Sequence, residues 1–140
     1  ISKIEVEKIP LVRTWMNFLH CVFMDRSNLR KSGEAIIRGI KNLKDGHSIV
    51  IFPEGTRSKG GPIKEFKAGS FKLATKSKCP IVPVTMDGSY KIMEHGNDPW
   101  IKPGTVNLYF HPAIETAGLS KEEQDALPKT VQNIIASKIS

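Results

Sequence analysis

Glu54 and Arg57, separated by Gly55-Thr56, are the residues of this chain whose types and setting most invite chemistry. They sit in Phe52-Pro53-Glu54-Gly55-Thr56-Arg57-Ser58, directly after the β-branched run Ser48-Ile49-Val50-Ile51. That run reads as a buried strand closing at Phe52. Pro53 has no amide hydrogen for a ladder, so the strand should end there. Gly55 lets the backbone turn or approach a ligand closely. A carboxylate and a guanidinium therefore fall on a loop at the carboxyl end of a strand, where open α/β sheets bind ligands. The guanidinium offers a planar fork of donors suited to phosphate or carboxylate. The same letters also fit a surface turn with a solvated Glu54–Arg57 ion pair, and spacing alone does not separate the two readings.

The elements that must position this loop alternate. Ser27 or Asn28 is placed to cap a helix over 29–44, with Ile36, Ile37, Ile40 and Leu43 as its apolar stripe. Asp45-Gly46 stops that helix and leads into the strand ending at Phe52. Lys59-Gly60-Gly61-Pro62 reads as a flexible loop. A helix over 68–77 turns Phe71 and Leu73 inward, and strands are predicted over 80–86 and 105–110. Between those strands, His95-Gly96-Asn97-Asp98-Pro99 is a turn-rich connection. Ser120-Lys121-Glu122-Glu123 fits a capping box, and Pro128 would begin a last helix with Val131, Ile134, Ile135 and Ile139 on one face. Earlier in the chain, Leu11, Val12, Trp15, Met16 and Leu19 share one helical face. Core-facing packing is the expectation for that face; the alternative is an interfacial helix with Trp15 and Phe18 touching lipid. Strands alternating with helices imply an α/β sandwich around a mostly parallel or mixed sheet.

Composition bounds the rest. A chain of 140 residues with 39% hydrophobic and 25% charged residues can form one domain with a real core. The net charge of +7 is unevenly spread: residues 1–80 carry 16 Lys and Arg against 7 Asp and Glu, residues 81–140 carry 5 against 7. A positive field attracts an anionic membrane surface, a phosphorylated substrate, an acidic carrier or nucleic acid. Cys21 and Cys79 form no CxxC and are expected to be reduced, and the four histidines lack zinc-site spacing. The apolar stretch from Ile9 to Met24 is broken by Pro10, Arg13, Asn17 and His20, too short and polar to span a bilayer of about 20 apolar residues.

Taken whole and in order, Phe52 to Ser58 resembles the FPEGTRS block of the glycerolipid acyltransferase family, which includes the lysophosphatidic acid acyltransferases. Ile81-Val82-Pro83-Val84-Thr85-Met86-Asp87-Gly88 resembles the later apolar block of that family, and Val22-Phe23-Met24-Asp25-Arg26-Ser27-Asn28 its Asp-Arg block. The three blocks cover roughly residues 1 to 90, and the likeness weakens beyond them. The resemblance implies a central sheet flanked by helices, lacking its amino-terminal end here, with 1–140 as the carboxyl-terminal part of a single domain.

The resemblance also implies a mechanism: acyl transfer from a thioester to the hydroxyl of a lysophosphatidic acid-type acceptor, giving phosphatidic acid. A hydroxyl needs a positioned base near neutral pH, and the oxyanion of the tetrahedral intermediate needs donors. In this family the base is the histidine of His-x-x-x-x-Asp, a signature expected before Ile1, which would leave the chain alone inactive. His20 and Asp25 have that spacing, but Asp25-Arg26 already fills the Asp-Arg block. His20 is therefore expected to end an apolar helix and Asp25 to orient Arg26.

By resemblance Glu54, Gly55, Thr56 and Arg57 line the acceptor pocket, with Arg26 and Lys3 adding positive charge. No bound cofactor or metal is implied; the co-substrate is an acyl-coenzyme A or acyl carrier protein thioester. The implied partners are a phosphorylated glycerolipid and a membrane met peripherally at its cytoplasmic face, with no nucleic acid.

Two readings from other classes compete. Gly55-Thr56-Arg57-Ser58-Lys59-Gly60 begins like a phosphate-binding loop, but Gly61-Pro62 stand where that loop needs Lys and Ser or Thr. A non-catalytic basic module binding anionic membrane or nucleic acid would account for the charge. Its aromatic residues are not interleaved with the basic ones as base stacking requires.

Overall fold

The computed structural model describes residues 1–24, 29–58, 60–93 and 101–139. Two short strands, β1 (Ser2–Lys3) and β2 (Phe23–Met24), pair in parallel, Ser2 opposite Phe23 and Lys3 opposite Met24. A 3-10 turn over Ile4–Lys8 and helix α1 (Pro10–Phe18) connect them. Pro10 at the first helical turn suits a position whose N–H would be unsatisfied anyway. Helix α2 (Leu29–Lys44) follows β2, at the predicted boundaries. After the 3-10 turn Ala68–Ser70 come α3 (Lys72–Ser77), β3 (Val84–Asp87), α4 (Tyr90–Met93), β4 (Asn107–Phe110) and α5 (Lys121–Ala136). β3 and β4 are antiparallel, Val84 opposite Phe110 and Met86 opposite Leu108. Helices thus alternate with strands of both senses, an α/β arrangement whose described pairings are one parallel and one antiparallel pair.

Residues 48–51 depart from expectation. They are not a regular strand, although the Ile1 nitrogen donates to the Val50 carbonyl at 3.0 Å while Ser2 N donates to Val22 O at 3.0 Å. Residues 1–2 therefore bond to chain on both sides. Nor is the segment buried on both faces. Ile49 and Ile51 are half-buried, whereas Val50 and Phe52 are 70% and 65% exposed. The side chains alternate in exposure because one face has neighbours (Ile49 approaches Gly39 and Leu73, where α3 packs on α2) and the other has none among the described residues to bury it.

The core lies further along. Phe66, Phe71, Leu127 and Val131 form one buried cluster, with Ile63, Ile81, Ile114, Leu119 and Ile135 packed around it. Side-chain hydrogen bonds tie α5 and the loop before it to the rest. Thr85, fully buried, donates its one hydroxyl hydrogen to the Ile135 carbonyl at 3.0 Å, so it accepts from His111 Nε2–H at 2.8 Å. Buried Thr116 lies within hydrogen-bond reach of the carbonyls of Ala74 and Cys79.

Four further expectations change. Pro128 lies inside α5 rather than at its start. The capping box starts the helix seven residues earlier: Ser120 Oγ accepts from Glu123 N, and Glu123 Oε2 from Ser120 N. Buried Leu127 and Val131 hold the helix together around the proline. On α2, Ile37 is exposed, and the small residues Ala35 and Gly39 take the buried side because α3 approaches closely. The 68–77 helix is split into a 3-10 turn and α3, with Phe71 and Leu73 buried as expected. Helix α1 buries none of its residues, contrary to core-facing packing. It packs against the preceding 3-10 turn, and Met16 alone of its residues is half-buried. Among the described residues, no helix is long and apolar enough to cross a membrane.

Candidate functional site

The turn after Phe52 is built by backbone geometry and then braced from three directions. Gly55 N donates to Phe52 O at 3.1 Å, and Gly55 has φ +70°, a left-handed conformation that glycine adopts without a Cβ penalty. The Pro53 carbonyl accepts from Lys67 N at 3.0 Å, and Glu54 Oε2 accepts from Lys64 N at 3.2 Å. These two bonds dock residues 53–54 against 64–67. At the far side of the loop, Gly60 has φ +83°, and a Cβ there would stand 2.6 Å from the Tyr90 ring. From α5, Gln132 Nε2 donates to the Lys64 carbonyl at 3.3 Å. Gly60 thus lies against Tyr90, and the chain beyond the loop is tied at Lys64.

The six sequence-derived binding residues fare differently. Glu54 and Gly55 are half-buried, and Thr56 and Arg57 are exposed on the same turn. Glu54 spends one carboxylate oxygen on the Lys64 amide, a bracing contact that its motif position does not announce. Lys3 ends β1, alongside Met24, the last residue of β2. Asp25 and Arg26 follow Met24 in sequence but lie outside the described residues. The hollow between the Ile4–Lys8 turn, α1 and α2, lined by Cys21, Phe23, Lys31 and Arg38 among others, includes no residue of the Glu54–Arg57 turn.

His20 sits outside this arrangement. It follows α1 with φ +52°, its carbonyl accepts from Asn42 Nδ2 at 2.9 Å, and its ring stacks on His47 with centroids 4.2 Å apart. His47 precedes the 48–52 segment whereas Glu54 follows it, so the stacked pair belongs to the opposite end of that segment. Near the pair, Asp45 is held below the ordinary carboxylate range by its hydrogen bond from Lys41, with smaller contributions from His47 and His20. Cys21 and Cys79 are free thiols, and among the described residues no group of three His, Cys, Asp or Glu could hold a metal.

Sequence reasoning missed Lys64, Lys67 and Gln132, which act on the turn through their backbone or through a neutral amide. No charge pattern marks such contacts. The only available signal was positional: buried Phe66 lies between Lys64 and Lys67, so packing that side chain fixes both backbones.

Known proteins resemble this chain along most of its length. The model of the Acyltransferase family matches residues 1–87. A 1-acyl-sn-glycerol-3-phosphate acyltransferase from Borreliella burgdorferi is 32% identical over 139 residues, covering 99% of this chain and 55% of the relative. A chloroplastic 1-acyl-sn-glycerol-3-phosphate acyltransferase from Brassica napus is 36% identical over 114 residues, covering 81% and 33%. The crystal structure of the 1-acyl-sn-glycerophosphate acyltransferase PlsC from Thermotoga maritima superposes with a TM-score of 0.80 at 32% identity, covering 97% of this chain and 53% of that one. The chain thus spans about half the length of the first of these relatives and of the solved structure.

Proposed function

Because the chain belongs to the Acyltransferase family, we propose that its braced Glu54–Arg57 turn binds the phosphorylated acceptor in acyl transfer to a lysophosphatidic acid-type hydroxyl. The product is phosphatidic acid, and the reaction is a step of phospholipid synthesis. The observation that carries this reading is the pairing of the Phe52–Ser58 motif with its geometry: Glu54 is turned to the Lys64 amide while Arg57 is exposed on the same turn. A guanidinium on a fixed backbone suits a phosphate whose position must be held while a distant hydroxyl reacts. Thr56, with Lys3 and Arg26 as the family resemblance assigns them, supplies further donors and positive charge to the same headgroup.

The general base in this reading is a histidine outside these 140 residues. His20 is stacked on His47 and has a structural part at the end of α1. The acyl donor is a thioester of coenzyme A or of acyl carrier protein, and the transfer is direct, without a covalent acyl-enzyme. The acceptor resides in a membrane, which the protein meets peripherally at the cytoplasmic face. The 140 residues form the carboxyl-terminal part of one catalytic domain.

The test is acceptor binding to this chain, for wild type and Arg57→Lys, each with a short-chain lysophosphatidic acid and the matching phosphate-free monoacylglycerol. Lysine keeps the charge but loses the planar fork. Losing a charge-assisted contact of roughly 1.5–3 kcal/mol should weaken binding of the phosphorylated acceptor about ten- to a hundred-fold. The phosphate-free acceptor should hardly respond. Equal losses on both would make Arg57 a structural residue and remove its phosphate role.

A further inference from the structure

Helix α1 turns its apolar stripe to the outside of the protein. Leu11, Trp15 and Phe18, spaced i, i+4 and i+7, are 79%, 70% and 73% exposed, and Leu19 continues the stripe. Trp15 and Phe18 pack edge to face with centroids 6.3 Å apart, forming a joint aromatic ridge. Half-buried Met16 marks the inward side. A contiguous apolar ridge of this kind on a folded surface marks an interaction site rather than scattered exposure.

We propose that this face of α1 docks onto an anionic lipid bilayer. The proposal rests on the acceptor being a lipid phosphate, and it names an element that holds the protein at the lipid surface. Nine residues at about 1.5 Å rise are far too short to span a bilayer, so the helix lies in the interface plane. Trp, Phe and Leu on one face are the side chains that partition to the headgroup boundary. Charge selects an anionic bilayer over a second copy of the chain. Residues 1–80 carry a net +9, a field that attracts anionic headgroups and repels an identical surface. Exposed Lys8 and Arg13 flank the stripe, while Glu5 and Glu7 in the preceding turn offset them locally, so the attraction comes from the wider basic excess.

The experiment is co-sedimentation of the 140-residue chain with vesicles of phosphatidylcholine alone or mixed with phosphatidylglycerol. Binding should require the anionic lipid and fall with salt. Trp15→Ala and Phe18→Ala should each weaken it by roughly tenfold through lost apolar burial, with unchanged far-UV circular dichroism. In a Trp100→Phe background the Trp15 emission should shift to the blue on binding. Vesicle binding indifferent to both substitutions would overturn the proposal. So would a dimer in solution that the same substitutions dissociate, since a second copy would then be the occupant. Binding of short-chain lysophosphatidic acid below its micellar concentration separates the two readings. Acceptor binding without vesicle binding sinks the docking proposal alone, and vesicle binding without acceptor binding leaves docking intact while removing the acceptor site.

Discussion

At the scale of the residue, Glu54 makes a contact in the structure that its motif position does not announce. As a motif letter it looks like a pocket carboxylate; in three dimensions one of its oxygens holds the Lys64 amide at 3.2 Å. Bracing needs an acceptor oxygen, not a charge. Glu54→Gln should therefore keep the turn, and Glu54→Ala should lose about 1 kcal/mol, the ordinary net worth of one hydrogen bond. Amide exchange at Lys64 reads this directly: protection retained in Gln and lost in Ala is the expected pattern. Equal loss in both would mean that the negative charge itself is needed at this position. Arg57, by contrast, is exposed, and the phosphate role proposed for it is what the Arg57→Lys comparison tests.

At the scale of the element, two glycines of α2 separate propensity from packing. Gly33 has open space around its missing Cβ, whereas a Cβ at Gly39 would stand 2.7 Å from Leu73 Cδ2. Leu73 is 2% exposed and closes the α2–α3 contact, so it has little room to give way. Gly33→Ala should stabilise by up to about 1 kcal/mol through helix propensity. Gly39→Ala gains the same propensity but overpacks a core contact at roughly 1–3 kcal/mol, so its net effect should be destabilising by about 1 kcal/mol. Urea denaturation of both variants checks the opposite signs, and a stabilised Gly39→Ala would show that the helix pair can separate freely. Periodicity gave Ile37 to the α2 core because every apolar residue at that spacing looks alike; the close approach of α3 instead selected Ala35 and Gly39.

At the scale of the whole molecule, the family match ends at residue 87 while the core does not. Phe66 and Phe71 meet Leu127 and Val131 across that boundary, and Gln132 reaches back to the Lys64 carbonyl, beside the amide that braces Glu54. The last third therefore supports the Glu54–Arg57 turn although the family model does not reach it. Residues 1–87 alone would expose Phe66 and Phe71. That fragment should lose cooperative thermal unfolding, and the Lys64 amide should lose its exchange protection. A fragment that melts with the same cooperativity as the whole chain would show that the core can be rebuilt without α5.

The sequence by itself determined the acyltransferase kinship, the place of the turn after the 48–52 segment, the bounds of α2 and the cap that starts α5. These depend on contiguous residues, on local hydrogen bonds and on a single proline or glycine, so they are written in neighbouring letters. Tertiary structure decided that most of the apolar stripe of α1 is exposed, that Val50 and Phe52 are uncovered, that Pro128 is carried within a helix, and that Glu54 bonds the Lys64 amide. Each of these turns on which distant segment lies against a given face. Periodicity shows that a face is apolar, but the partner that buries it, or its absence among the described residues, is fixed only when residues tens of positions apart are packed together.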